Sequence, residues 1–439
     1  MKKQPIIAIV GKPNVGKSTF FNRLCGRRQA IESEIPGTTR DRIYSPVNWC
    51  KKKFILIDTA GIFSACAKNE MNELTEASVE TAISEADKII FLLDATSEIE
   101  SIEIKISKKL RASGKKIYLL ANKADNANSE TIEQKYFQLG FGAPNFVSAI
   151  SGRSVGDFLD ILTADISTDV KEIISDDVLK VAIIGRPNVG KSTLLNSLIG
   201  EEKAIVSSIA GTTRDATKSE IIYAGVKIEF VDTAGIRRSG KIDRNIEKFS
   251  VIRAVRAISE SQVAVILLNA EEGLVNQDAH LCGLAKDEGK SIIIAVNKID
   301  VWPENEKKEK MSEFIYKLQK DLAFLPFAPV IFVSAKDEKN LKILLKKILE
   351  VKDSRATKIP EDDLKKLIDE AIENHPQIRK VIKFYQEKTN PPIFKLLTKN
   401  KEWIHFSHLR YLENKIRDQF PMPSTPIFID VIETKKKHS

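Results

Sequence analysis

Ile6-Ile7-Ala8-Ile9-Val10-Gly11-Lys12-Pro13-Asn14-Val15-Gly16-Lys17-Ser18 is the stretch whose reading decides the fold. A short, continuously apolar run predicts a strand buried on both faces. The G-x-x-x-x-G-K-[ST] loop that follows it opens a helix and cradles phosphates. The arrangement recurs as Val181–Ile184 followed by Gly185-Arg186-Pro187-Asn188-Val189-Gly190-Lys191-Ser192. Two further elements recur in the same order. Asp58-Thr59-Ala60-Gly61 returns as Asp232-Thr233-Ala234-Gly235, and Asn122-Lys123-Ala124-Asp125 returns as Asn297-Lys298-Ile299-Asp300. The lag is 174 residues for the first two elements and 175 for the third. Three ordered elements at nearly constant spacing exclude a chance match and predict a tandem pair of guanine-nucleotide sites.

Each element has a chemical reason. Gly16 and Gly190 let the backbone approach the phosphates closely, and backbone N–H groups with the helix N-terminus supply positive potential. Lys17 and Lys191 are expected to neutralise β- and γ-phosphate oxygens. Ser18 and Ser192, with Asp58 and Asp232, are expected to hold Mg2+. Asp125 and Asp300 can each accept two hydrogen bonds from guanine, which adenine cannot offer. Lys123 and Lys298 are expected to lay their stems over the base. Ser148-Ala149 and Ser334-Ala335, each after a further strand, complete the base pocket with backbone donors. Gly61 and Gly235 can present N–H groups to the γ-phosphate, so its loss would release the loop.

Between the phosphate loop and the Asp-Thr-Ala-Gly element lie Pro36-Gly37-Thr38-Thr39-Arg40-Asp41 and Ala210-Gly211-Thr212-Thr213-Arg214-Asp215. Thr39 and Thr213 are the expected closing ligands to magnesium. Arg40 and Arg214 read as local ion pairs with Asp41 and Asp215, with a catalytic finger as the alternative. Ile62 and Ile236 stand where a glutamine would orient the attacking water in Ras-like enzymes. Another group must then stabilise the transition state. Asn14 and Asn188 are candidates for holding a monovalent cation beside the phosphates, against a plain role in turn geometry.

The remaining chain sets the context. A length of 439 residues fits about three domains. Short Ile/Leu/Val-rich runs alternate with helical segments in both repeats and predict an α/β fold, a mostly parallel sheet with helices on both faces. The expected boundaries are 1–165 and 179–352 for the two repeats, an acidic linker over 166–178, and an α+β module over 353–439. The module's seven aromatics (Phe384, Tyr385, Phe394, Trp403, Phe406, Tyr411, Phe420) read as its core rather than a base-stacking platform. The net charge of +9 leans toward a polyanionic partner. Cys25, Cys50, Cys66 and Cys282 match neither a zinc site nor a disulfide framework and read as reduced thiols. The start of the chain leaves no room for a signal peptide, and no apolar run reaches the roughly 20 residues that span a bilayer. The expectation is a monomeric protein of the cytoplasm with neither membrane nor DNA as partner.

With these motifs in place the chain resembles the Der (EngA) family of bacterial ribosome-assembly GTPases. The resemblance rests on both Gly-x-Pro-Asn-Val-Gly-Lys-Ser loops, both Gly-Thr-Thr-Arg-Asp and both Asp-Thr-Ala-Gly-Ile elements. The acidic linker, Pro391-Pro392-x-Phe394 and Arg410-Tyr411-Leu412-Glu413-Asn414 add to it. It implies GTP and GDP as ligands, magnesium-dependent hydrolysis stimulated by K+ at Asn14 and Asn188, and a KH-like third module. It also implies the large ribosomal subunit and its rRNA as partners. Residues 353–439 contain no Gly-x-x-Gly, which argues against the usual KH grip on single strands. One departure stands out. The resemblance leads one to expect glycine before Thr425-Pro426, and this chain has Ser424. Two rivals share the loop chemistry. An RNA-modification GTPase of the MnmE type would need a cysteine near the C-terminus, and none follows Cys282. A membrane or division GTPase would need a lipid-facing helix or a long coiled coil.

Overall fold

The computed structural model describes residues 4–26, 44–58, 79–80, 82–84, 86–125, 134–166, 178–206, 220–231 and 250–434. Residues 167–177 of the expected acidic linker, Thr39, Thr213, both threonine-arginine elements and all of the Asp-Thr-Ala-Gly-Ile elements beyond Asp58 lie outside them. The chain falls into two compact units. One carries the first six-stranded sheet; the other carries the second, together with a three-stranded sheet.

The first unit is built on β1 (Ile6–Val10), β2 (Tyr44–Trp49), β3 (Lys52–Asp58), β4 (Lys88–Asp94), β5 (Lys116–Asn122) and β6 (Asn145–Phe146). Their spatial order is β2-β3-β1-β4-β5-β6. All pairings are parallel except that of β2 with β3. All five residues of β1 are fully buried, as a strand covered on both faces requires. Each such Ile contributes roughly 2 kcal/mol of hydrophobic stabilisation. Strand order reverses at β1, and the phosphate loop leaves its carboxyl end there, the place where open α/β sheets put ligands. The antiparallel edge strand β2 carries no long apolar run, which is why the sequence pattern does not announce it.

The second unit repeats this plan with β7 (Val178–Ile184), β8 (Glu220–Tyr223), β9 (Val226–Phe230), β10 (Val263–Asn269), β11 (Ser291–Asn297) and β12 (Val330–Phe332), in the order β8-β9-β7-β10-β11-β12. The helix Leu341–Ala356 packs Leu341, Leu344, Leu345 and Ile348 into its core.

The tail module has β13 (Val381–Lys388) antiparallel to β14 (Ile393–Thr398), and β15 (Phe428–Glu433) parallel to β14. The helices Glu361–Asn374 and Phe406–Gln419 supply Leu364, Leu367, Leu412 and Ile416 to a core with Phe394 and Leu396. The expectation for its aromatics needs correcting. Phe384 and Phe394 stack in the core at 5.6 Å between ring centroids. Trp403, however, is 38% exposed and Phe406 58% exposed, because one lies in a short surface turn and the other begins a helix on its solvent side. Lys380 sits over the Trp403 ring at 4.6 Å.

A seam joins this module to β11. Ser291 and Thr425 share a hydroxyl–hydroxyl hydrogen bond of 2.9 Å, and Ile292 N donates to Ser424 O at 2.7 Å. Arg355, buried at the end of its helix, donates through Nη1 to Gly289 O at 2.9 Å and Ser291 Oγ at 3.2 Å, and through Nε to Asn390 Oδ1. At Ser424, φ is 64°, the left-handed region where glycine is at ease. The resemblance therefore pointed to the right geometry, and the turn survives with serine in it. Its buried Oγ has no hydrogen-bond partner among the described residues. Ser424→Gly should remove strain of about 1–2 kcal/mol and an unmet hydroxyl, against an unfolded-state cost of about 0.4–1 kcal/mol. The expected result is a gain of about 1 kcal/mol and a melting temperature about 2–4 °C higher. A lower melting temperature for Ser424→Gly would contradict it.

Candidate functional site

The two phosphate loops superimpose in chemistry as well as sequence. Lys17 Nζ donates to Gly11 O at 2.9 Å and Lys12 O at 2.7 Å; Lys191 Nζ donates to Gly185 O at 2.8 Å and Arg186 O at 2.6 Å. Each ammonium is thus tethered inside its own loop. Burial depresses both lysines to about 8, against a smaller opposing pull from Asp58 on Lys17 and from Asp278 on Lys191. Gly16 and Gly190 have φ of 92° and 99°. A Cβ there would lie 2.4 Å from Asn122 Nδ2 or 2.3 Å from Asn297 Nδ2. Glycine is required on both counts.

The Asn of each base element ties three loops together. Asn122 Nδ2 donates to Val15 O at 2.9 Å, while its Oδ1 accepts from Ala149 N at 2.9 Å. Asn297 does the same with Val189 O at 2.8 Å and Ala335 N at 2.9 Å. Ala149 and Ala335 of the two Ser-Ala elements thus meet the Asn of each Asn-Lys-x-Asp element through their backbone N–H groups. Ser334 Oγ donates to Asp300 Oδ1 at 2.7 Å, while Ser148 Oγ accepts from Ser151 N at 3.1 Å. Gly190, Thr193, Asn297, Lys298, Asp300, Ala335 and Lys336 line one pocket in the second unit.

Ser18 Oγ donates to Asp58 Oδ2 at 2.7 Å, which brings a hydroxyl and a carboxylate together at the end of the loop. That oxygen pair suits magnesium, which prefers hard oxygen donors and keeps several waters. Asp232, the partner expected for Ser192, lies outside the described residues. Asn14 and Asn188 are exposed and occupy the left-handed region, at φ 65° and 61°. The turn role is visible for both.

Sequence reasoning missed a set of supporting groups. Lys12 Nζ lies 2.8 Å from Glu100 Oε1 and 3.5 Å from buried Glu103 Oε1. Arg186 contacts Glu272 at 2.7 Å and buried Asp278 at 3.1 Å. Burial pushes Glu103 and Asp278 upward, against the pull of these cations. Arg23 Nε donates to Ala149 O at 2.7 Å and Ser197 Oγ to Ala335 O at 2.8 Å, so the helix after each phosphate loop also grips the base loop. The signal was available. Lys12 and Arg186 recur at a lag of 174 residues and Glu103 and Asp278 at 175, so aligning the repeats in full would have paired them; Glu100 and Glu272, 172 residues apart, would not have been paired.

Two doubly wound sheets, each with a phosphate loop at its switch point and a guanine-type base loop beside it, define a tandem P-loop GTPase. Residues 6–123 and 180–298 match the family described as 50S ribosome-binding GTPase, and residues 358–431 match the KH-domain-like C-terminal family of EngA bacterial GTPase enzymes. The GTPase Der of Geobacillus thermodenitrificans is 41% identical over 97% of this chain and 98% of its own length. That of Listeria monocytogenes is 40% identical over 99% of this chain and all of its own. Among solved structures, the FeoB G-domain from Methanococcus jannaschii is similar to 37% of this chain at 22% identity, with a TM-score of 0.28. The chain belongs to the GTPase Der family. It is a GTP-binding switch protein that hydrolyses GTP.

The depressed lysines give a pH dependence. Each of these buried lysines gives up its proton near pH 8. A bound phosphate holds that proton, so above this value binding must take one up. GDP affinity should be level below about pH 8 and fall by up to about tenfold per pH unit above it. Titrations across this range check the sign; affinity that rises or stays level on the alkaline side contradicts it.

Proposed function

We propose that this protein is a ribosome-assembly factor whose nucleotide state controls its engagement with the large ribosomal subunit and its rRNA. The observation that carries the reading is the course of β11. One end of this strand forms the guanine loop at Asn297-Lys298, and the other bonds to the tail module at Ser291 and Ile292. A change at the second nucleotide site thereby has a short covalent route to the KH-like module. The net charge of +9 and the exposed Trp403 beneath Lys380 favour a polyanionic, base-bearing partner. Among the described residues no helix is long and apolar enough to cross a membrane.

In this reading the domains run 1–165, 179–352 and 353–439, and the protein works as a monomer in the cytoplasm. Lys17 and Lys191 meet the β- and γ-phosphates, and Asp125 and Asp300 read the guanine edge. Ser18, Asp58, Ser192 and Asp232, with Thr39 and Thr213, hold magnesium, which when bound neutralises charge on the phosphates. Gly61 and Gly235 sense the γ-phosphate. Asn14 and Asn188 hold potassium at the place of an arginine finger; equal turnover in potassium and sodium would remove that part.

The test is sedimentation with ribosomal subunits in GTP, a non-hydrolysable analogue and GDP. The expected result is association with the large subunit that depends on the nucleotide and weakens with salt. Association that ignores the nucleotide, or none at all, overturns the reading.

A further inference from the structure

The two guanine sites share a plan but differ in what supports the lysine over the base. β4 and β5 run in register so that Asp94 lies beside Asn122, and β10 and β11 place Asn269 beside Asn297 in the same way. In both units the residue at this position turns the chain out of the sheet. Asp94 Oδ1 accepts from Thr96 N at 2.9 Å, and Asn269 Oδ1 accepts from Glu271 N at 3.0 Å. The second atom of each side chain is where they diverge. Asp94 Oδ2 accepts from Lys123 Nζ at 2.6 Å. Asn269 Nδ2 instead donates to Glu272 Oε1 at 2.7 Å, and Glu272 in turn serves Arg186 of the phosphate loop.

We propose that Asp94 is a positioning residue for guanine binding in the first unit, holding Lys123 over the base, and that the second unit, with Asn269 there, lacks this device. The inference rests on the assignment of Asn122–Asp125 and Asn297–Asp300 to the base. Lys123 has a left-handed backbone, φ 66°, which sets the direction of its Cα–Cβ bond, and the ion pair at its far end then limits where the stem can lie. The Asp94 carboxylate does that from a partly buried position, its side chain 12% exposed, and a charge-assisted bond there is stronger than one between two solvated groups. The hydrogen bonds from Lys123 and Thr96 outweigh burial and keep Asp94 below the usual carboxylate range, so it is ionised throughout the neutral region. Lys298 adopts the same backbone, φ 68°, but has no ion pair among the described residues. The second unit fixes the other half of the recognition element, through Ser334 on Asp300. The first site orders its lysine, and the second holds its carboxylate more closely than the 3.3 Å contact of Ser151 on Asp125 does in the first, so the two should hold guanine nucleotides with unequal residence.

The experiment is a double-mutant cycle on the full chain. Fluorescent GDP is titrated in an Asp300→Asn background, so that guanine binding reports the first site. Asp94→Asn should raise the dissociation constant about fivefold, with turnover at saturating GTP changed less than twofold. In a Lys123→Ala background the same substitution should add nothing, because its effect runs through that lysine. A loss of equal size with and without Lys123 would mark a purely structural role and overturn the proposal, as would unchanged affinity in Asp94→Asn. If Lys123→Ala itself leaves GDP affinity unaltered, the base assignment fails and the proposal with it. The converse substitution, Asn269→Asp with Asp125→Asn as background, should slow GDP release from the second site. Unchanged or faster release there would overturn the claim that the two units differ by this residue.

Discussion

Lys17→Ala is expected to lower GTP turnover at the first site by about 10²- to 10³-fold, and Lys191→Ala to do the same at the second. The size follows from the geometry. Each ammonium is held by two carbonyl oxygens of its own loop, at 2.6–2.9 Å, with its stem buried behind the phosphates' expected place. Water cannot replace a positive charge fixed in that position, because removing the side chain leaves the loop's amides without their companion charge. The loss should fall on the chemical step more than on GDP binding, since charge grows on the transferred group as the bond breaks. Single-turnover phosphate release separates the two. In each variant the remaining fast phase reports the untouched site, so one preparation gives both rates. A variant that keeps more than about a tenth of its site's rate would refute the assignment.

Asp300→Asn is expected to weaken GTP binding at the second site about a thousandfold and to admit xanthosine triphosphate in its place. In the proposed base site the carboxylate would face two guanine donors. An amide at the same place accepts one bond and turns a donor against the other, while xanthine offers a carbonyl that an amide can meet. Ser334 sharpens the effect, because its hydroxyl already satisfies Asp300 Oδ1 and holds the group in one orientation. Asp125→Asn should act alike at the first site, but less sharply. Asp125 is exposed, and Ser151 Oγ approaches it only at 3.3 Å. Competition between the two nucleotides at each variant gives the ratio directly. A variant that still prefers GTP by its original margin would show that another group reads the base.

Much of this was legible in the chain itself. The strands under both phosphate loops, the base loops and the Ser-Ala elements follow from apolar runs and from side chains with one plausible chemistry. The edge strands β2 and β8 were not legible, because a strand half open to water, such as Tyr44–Trp49, mixes polar and apolar residues without a strong period. Nor was the role of Glu103 and Asp278, although their positions follow the repeat. Their role depends on a helix start being folded back onto a loop about 90 residues earlier in the chain, and carboxylates in isolation look like solvated surface. Trp403 and Phe406 failed for the opposite reason. Large rings in a small module default to its interior, and only the position of a short turn and a helix start leaves these two outside.

The seam between β11 and the 422–425 turn bears on how the polypeptide melts. Backbone bonds from Ile292 and Ser424, the Ser291–Thr425 contact and the buried guanidinium of Arg355 would all be stranded by loss of either neighbour. Heating should therefore dissolve the tail sheet and the second nucleotide-binding sheet in one cooperative transition. An excised tail, deprived of these bonds, should denature at a lower temperature than the same residues do in the intact chain.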